Sequence, residues 1–405
     1  MVRHMKFRLI FFVLVSQFPV SYGSALPAMA QEPRGTEIIR IATFNCSLNR
    51  NKAGELISDL KDGGNEQARQ VARILRIVRP DIVLLNEFDY DESGTSINIF
   101  RNDYLEAERD WTSEPALKLA YAFSGPVNTG VSSGLDLDHD GKSNGPGDAL
   151  GFGRFPGQYG MVMLSRFPID ANAARTFQNL LWKNMPRSAV PATTTDGAEA
   201  WYSESDLAIL RLSSKSHWDL PVRIGDKTLH VLVSHPTPPA FDGREDRNGR
   251  RNHDEIRLWA DYISDQPNAW LTDDKGIAGG MASNSSFVIL GDQNADPKDG
   301  DSFDNAIDQL LKHPRINTTH IPISDGAIEA AKTQGKVNNQ HKGDPAQDTS
   351  DFSDGSVGNL RADYVLPSLN LKVSTSKVFW PIPGDAGADL IKCSDHRLVW
   401  IDISL

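Results

Sequence analysis

The run from Phe287 to Pro297, FVILGDQNADP, constrains the fold of this chain more than any other stretch. Phe287, Val288, Ile289 and Leu290 are consecutively apolar, as in a short strand buried on both faces. The chain then breaks at Gly291 into Asp292, Gln293 and Asn294. A buried strand that stops at a glycine and presents polar side chains at its carboxyl end is how sheet proteins commonly build a site. If strand geometry continues past the glycine, Asp292 and Asn294 point the same way. One then takes a proton or orients a water while the other donates an N–H to the same target. Asp and Asn also favour turns, so the motif gains its weight from what other strand ends carry.

Ile38 to Asn45, IIRIATFN, reads as a first strand, and Asp81 to Glu87, DIVLLNE, as a second that ends in a carboxylate. Between them Ala68, Val71, Ala72, Leu75 and Val78 fall at helical spacing, so Asn65 to Val78 is expected to be a helix closed by Pro80. A strand–helix–strand unit points to an α/β fold. Further strands are expected within Gln158–Ile169, Leu207–Leu212, Leu229–Val233 and Leu398–Ile403, with helices over Asp254–Ile263 and near Phe303–Leu311. Residues 89–155, 170–205 and 330–359 read as irregular. No boundary rich in Pro, Gly or Ser divides the chain, so residues 31–405 are expected to form a single domain.

Residues 1–30 read as a signal peptide. Arg3, His4, Lys6 and Arg8 make a basic start, Leu9 to Val15 is apolar, and Ala28-Met29-Ala30 supplies a small-x-small cleavage site. The expectation is an exported protein, periplasmic or extracellular. The apolar run is too short to span a bilayer, no later stretch is long enough, and an integral membrane segment is not expected. A net charge of −11 argues against a protein held on duplex nucleic acid by its overall field. Two cysteines, Cys46 and Cys393, are too few for a disulfide scaffold, though export leaves one bond open.

Asp136, Asp138 and Asp140, followed by Gly141, resemble the first half of a helix–loop–helix calcium loop. The bidentate Glu of the twelfth position is missing, Gly147 stands there, and Asp148, one place beyond, is the expected substitute. A structural calcium and a solvated acidic loop are the two readings. Arg244, Arg247, Arg250 and Arg251 either hold a substrate phosphate or pair with Glu245, Asp246 and Asp254.

Polar residues recur where short apolar runs end: Asn45, Glu87, His235, Asp292 with Asn294, Asp363, and Asp395 with His396. Burying such groups is costly unless they are used. In order, FNCSLN, LLNEF, GMVMLSRFPI, LVSHP, ILGDQN, RADYVLPS and CSDHRLVW resemble the endonuclease/exonuclease/phosphatase superfamily. Its members include deoxyribonuclease I, abasic-site endonucleases, sphingomyelinases and inositol polyphosphate 5-phosphatases. The resemblance covers residues 38–405 and departs at SHPTPP, where many members have an Asn-Thr-His-Leu type sequence. It implies a four-layer α/β sandwich, two mixed sheets packed face to face with helices outside, and a metal-dependent phosphoric ester hydrolase.

By that resemblance Glu87 is the principal ligand of magnesium or manganese, completed by Asn45 and Asp395. Asp292 orients or deprotonates the attacking water, and Asn294 donates to phosphoryl oxygens. His396 is paired with Asp363, and His235 is a candidate acid for the leaving oxygen. The substrate expected is a phosphate ester, whether nucleic acid, phospholipid or a small phosphoester, and the protein is expected to be a monomer. The alternative reading is a non-catalytic calcium-binding interaction protein on the same scaffold.

Overall fold

The computed structural model describes residues 38–108, 110–191, 200–266 and 268–405. The expected signal peptide lies outside them. Thirteen strands are formed among the described residues: β1 (Ile39–Asn45), β2 (Ile82–Asn86), β3 (Tyr121–Phe123), β4 (Met161–Ser165), β5 (Arg175–Thr176), β6 (His217–Ile224), β7 (Lys227–Ser234), β8 (Phe287–Asp292), β9 (Ser350–Asp351), β10 (Asn359–Leu360), β11 (Asp363–Pro367), β12 (Lys372–Val378) and β13 (Val399–Ser404). The α-helices are α1 (Glu55–Leu60), α2 (Glu66–Val78), α3 (Thr95–Ile99), α4 (Glu204–Leu207), α5 (Arg247–Tyr262), α6 (Asp308–Leu311) and α7 (Asp325–Gln334).

Two mixed sheets carry the fold. One has the order β12-β13-β1-β2-β4-β3, the other β11-β8-β7-β6-β5. Among these strands only β1–β2 and β7–β8 pair in parallel. The sheets face each other across an apolar layer that takes Ile41, Leu84, Met163 and Ile401 from the first and Trp218, Val231, Leu290 and Val365 from the second. The outer face of the first sheet, with Phe44, Val83 and Leu85, is covered by Val71 and Leu75 of α2. That of the second, with Leu232, Ile289 and Tyr364, is covered by Ile256 and Trp259 of α5. The result is the expected four-layer sandwich of helices, sheet, sheet and helices. Strands buried on both faces explain why the apolar runs show no alternation.

Local chemistry sets the element ends. The Asn65 side chain accepts from Ala68 N at 2.9 Å and caps α2, a contact worth about 1 kcal/mol. Arg79, in the left-handed conformation ahead of Pro80, stops it. Gly291 does not end β8, which runs on to Asp292. There a Cβ would lie 2.0 Å from the Ser234 carbonyl oxygen, so glycine is required by the close approach of β7.

Several expectations are corrected. Leu207–Leu212 is no strand: α4 ends at Leu207, and Leu210 and Leu212 are buried from an irregular segment. The strand is β6, whose polar residues disguised it. Residues 89–155 contain α3, a π-helical turn over Phe100–Glu106, and β3, and residues 330–359 contain the end of α7 with β9 and the start of β10. The helix expected from Asp254 begins at Arg247.

Candidate active site

Strand alternation points Ile41 and Thr43 of β1, Leu84 of β2, and Val288 and Leu290 of β8 at the space between the sheets. At one end of that space the same rows turn polar, ending in Asn45, Asn86 and Asp292, with Asp363 opposite Asp292 in register on β11. All four side chains are buried.

Asp292 is the hub. Its Oδ1 accepts from the backbone N of Asn294 at 2.9 Å, and its Oδ2 accepts from Asn45 Nδ2 at 3.1 Å. The same Oδ2 lies 3.4 Å from His235 Nε2 and 3.6 Å from His396 Nε2. Burial opposes its charge, but His396, His235 and Asn45 together hold the carboxyl well below the usual range. Asp292 is therefore an anion that accepts and orients rather than a strong base.

His396 turns its other nitrogen to Asp363, with Nδ1 2.8 Å from Oδ2. Burial works against an imidazolium here, yet Asp363 and Asp292 outweigh it and push the pKa up to about 10. Asp363 Oδ2 also accepts from Thr349 Oγ1 at 2.9 Å, while Oδ1 is buried without a partner. Burial pushes its carboxyl up to about 6 against the pull of His396. His235 behaves oppositely: burial, with Lys215 nearby, drives it down to about 4. At neutral pH it is a neutral ring. With Nε2–H toward Asp292, its buried Nδ1 is a bare acceptor without a partner. In this state it offers hydrogen bonds, not a labile proton.

Glu87 follows β2 in a left-handed conformation, φ 59°. Its Oε2 accepts from Asn49 Nδ2 at 2.7 Å, and burial pushes its pKa up against His396, Asn45 and Lys215. Asn45 Oδ1 accepts from Ser47 N at 3.3 Å. Asp395 is exposed at the rim of this corner, its Oδ1 3.5 Å from Ser47 Oγ. Asn294 reaches the cluster by a different route from the one expected: the strand stops at Asp292 and a left-handed turn, φ 51°, places Asn294, whose Nδ2 donates to Pro236 O at 3.1 Å.

Asn49, Asn86, Lys215 and Glu255 belong to this corner and went unread in the sequence. Asn86 Oδ1 accepts from Asp292 N at 3.3 Å, and its Nδ2 lies 3.5 Å from Ser234 O, so a β2 side chain bonds to both β7 and β8. Asn49 stood in FNCSLN as a second asparagine four residues after the first. The arginines, in contrast, are largely consumed. Arg247 pairs with Glu245, Arg250 Nε donates to Glu245 O at 3.0 Å, and buried Arg251 donates to the carbonyls of Leu212, Leu150 and Arg211. Arg244 is exposed.

In the acidic loop, oxygens of Asp136, Asp138 and Asp148 lie within 4.8 Å of one another. Asp140 is not of that group. It turns out to Lys142, 3.2 Å away, while Asp148 is held inside by the backbone N–H groups of Leu137 and Gly145 at 3.0 and 2.7 Å. Cys46 and Cys393 are both free and buried in the cluster beneath α2.

The family model described as "Endonuclease/Exonuclease/phosphatase family" matches residues 42–396. No curated protein sequence matches the chain. Among solved structures, an endonuclease/exonuclease/phosphatase from Beutenbergia cavernae is similar at 16% identity, TM-score 0.47, over 91% of this chain and 72% of that one. Sphingomyelinase C from Streptomyces griseocarneus is similar at 12% identity, TM-score 0.45, over 90% and 99% of the two chains. A Staphylococcus aureus beta toxin mutant with bound magnesium ions is similar at 13% identity, TM-score 0.44, over 90% and 99%.

Proposed function

Because the chain belongs to the endonuclease/exonuclease/phosphatase family, we propose that it hydrolyses a phosphoric ester by attack of water on phosphorus where the two sheets meet. The observation that carries this reading is the Asp292 carboxylate, set between Asn45, His235 and His396 with Asp363 behind. Attack on phosphorus spreads charge over the non-bridging oxygens and needs a fixed acceptor for the water. The Asp292 anion supplies the acceptor. The His396 imidazolium, held by two carboxylates, supplies a donor, and the second N–H of the Asn294 amide supplies another.

Glu87, Asn45 and Asp395 suit a hard divalent cation, magnesium or manganese. Glu87 gives Oε2 to Asn49 with Asn45 beside it, and Asp395 is exposed at the rim of the same corner. Few protein ligands leave room for water and phosphate. Bound there, the ion would polarise a phosphoryl oxygen and neutralise developing charge. Calcium is proposed separately for Asp136, Asp138 and Asp148. The basic, apolar and small-residue zones of residues 1–30 support export of a single catalytic domain spanning residues 31–405, which N-terminal sequencing of the secreted protein would test at Gln31. The buried charged cluster argues against a non-catalytic scaffold, which has no use for charges held in place at this cost.

The test is an assay of purified protein with magnesium, manganese or calcium against nucleic acid, a phosphodiester, phosphomonoesters and phospholipids. Hydrolysis of at least one class, lost on chelation, is expected. Inertness toward all of them overturns the reading.

A further inference from the structure

One group in the site has no partner. Lys215 is 6% exposed, yet among the described residues its ammonium makes no hydrogen bond and no ion pair within 4.0 Å. The side chain is covered along its length, whereas a flexible surface lysine would ordinarily swing out to water.

The backbone that carries Lys215 is fixed. The Lys215 carbonyl accepts from Asn128 N at 2.9 Å, and Asn128 Nδ2 holds the Ser213 carbonyl at 2.8 Å. Ser214 N and Oγ donate to Glu255 Oε1 at 2.6 and 3.0 Å. His217 is clamped between Ser213 Oγ at 2.6 Å and the Glu255 carbonyl at 2.9 Å. Gly151 packs so closely that a Cβ there would lie 2.0 Å from Ser214 O. Glu255 is the carboxylate that acts most strongly on Lys215, but it is already engaged: Oε1 takes Ser214, and Oε2 takes Thr237 N at 2.7 Å. Glu255 thus ties the Lys215 segment to the loop that carries His235.

The register fixes what Lys215 stands beside. His217 pairs with Ser234, so two residues earlier Lys215 falls beside His235 and Pro236. Across this end of the second sheet the order is Asp363, Asp292, His235 and Lys215, following β11, β8, β7 and β6. Glu87 of the opposite sheet also feels its charge. A pinned cation in a row of phosphate-handling groups is missing an anion.

We propose that the Lys215 ammonium is the fixed cationic contact for a non-bridging oxygen of the substrate's phosphoryl group, on the far side of His235 from Asp363. This deepens the phosphoester reading and rests on it for the substrate class. The contact is a point charge with three donors, suited to an oxygen that gains charge as phosphorus is attacked.

The probe is inorganic phosphate, titrated calorimetrically with magnesium present into wild type, Lys215→Met and Lys215→Arg, each checked for folding by its thermal midpoint. Lys215→Met is expected to bind phosphate at least about ten-fold more weakly and to lose on the order of 10²-fold in kcat/KM, largely in kcat. Lys215→Arg should recover most of the phosphate affinity. Unchanged phosphate affinity in Lys215→Met, or no phosphate binding by wild type, overturns the contact. If wild type binds phosphate through Lys215 but hydrolyses no ester, the hydrolase reading falls and the contact stands. Should Lys215→Met not fold, acylation of the Lys215 amine in wild type is followed by mass spectrometry. Protection by phosphate supports the contact and its absence overturns it.

Discussion

His396 faces two carboxylates at once, Asp363 through Nδ1 at 2.8 Å and Asp292 through Nε2 at 3.6 Å. Its ring is charged over the whole physiological range, its pKa pushed up to about 10. A folded-state pKa above the ordinary 6.5 contributes stability that is complete below pH 6.5 and is lost as the pH rises through about 10. Asp363→Asn should move the imidazole titration, followed by NMR, down toward its ordinary value. Breaking a buried pair should also cost about 3–5 kcal/mol at neutral pH. An unmoved titration would refute the pairing.

Glu87→Gln and Asp292→Asn should each reduce hydrolysis by on the order of 10²–10³-fold while the protein stays folded. Both are isosteric changes at the end of buried strands, one in each sheet. Circular dichroism checks the fold. Near-normal turnover in either variant would remove that residue from the mechanism.

How much of this was legible depended on burial. β1, β2, β7 and β8 announced themselves because strands covered on both faces are continuously apolar, and α2 because Asn65 and Pro80 bracket it. β6 hid because His217, Asp219, Pro221 and Arg223 read as loop. Tertiary contacts make them tolerable: Ser213 and the Glu255 carbonyl hold His217, while His230 and Tyr262 hold Asp219. Lys215, between serines, belongs to no motif, and only its burial in the fold marks it. In the acidic loop Asp140 fitted the linear spacing but turns away, while Asp148, the expected substitute for the missing Glu, does lie beside Asp136 and Asp138.

Asp348 offers a test of buried charge away from the reacting groups. It is 7% exposed, and no donor among the described residues reaches its carboxylate. Burial, with Asp296, Asp299 and Asp344 close by, pushes its pKa up to about 8. The sign is that of a raised carboxyl: stability is whole below pH 3.8 and declines as the pH rises toward 8, by about 1.4 kcal/mol per unit. Asp348→Asn should therefore raise stability by about 1–4 kcal/mol at pH 7.5 and change little at pH 4, read from denaturant unfolding at both. Equal effects at the two pH values would contradict the assignment.

The acidic loop should raise the thermal midpoint of Glu87→Gln in millimolar calcium, the weak range of sites with incomplete ligand sets. Asp138→Ala should abolish that rise, and Asp140→Ala should leave it, because Asp140 turns away to Lys142. No shift with calcium would leave the loop as surface.

Denatured without reductant, the protein should take up two alkyl labels, one at Cys46 and one at Cys393, both free in the fold. Burial pushes the Cys393 thiol up to about 12, so the native protein should label slowly. A mass without added labels would reveal a bond.

Asn86 gives the site a mechanical character. The residue next to Glu87 on the first sheet bonds to the backbone at Asp292 and lies against that at Ser234 on the second. The two halves of the chemistry thus ride on separate slabs, and the Asn86 amide, together with the Asn45–Asp292 bond, sets the gap between them. An apolar interface resists separation well but resists sliding poorly, since dispersion contacts have no direction. Take the Asn86 amide away, as in Asn86→Ala, and the slabs keep their grip while the gap loses one of its two gauges. Warming would then blur the spacing of ligand and acceptor before it melts the protein, so activity and fold would fail at different temperatures.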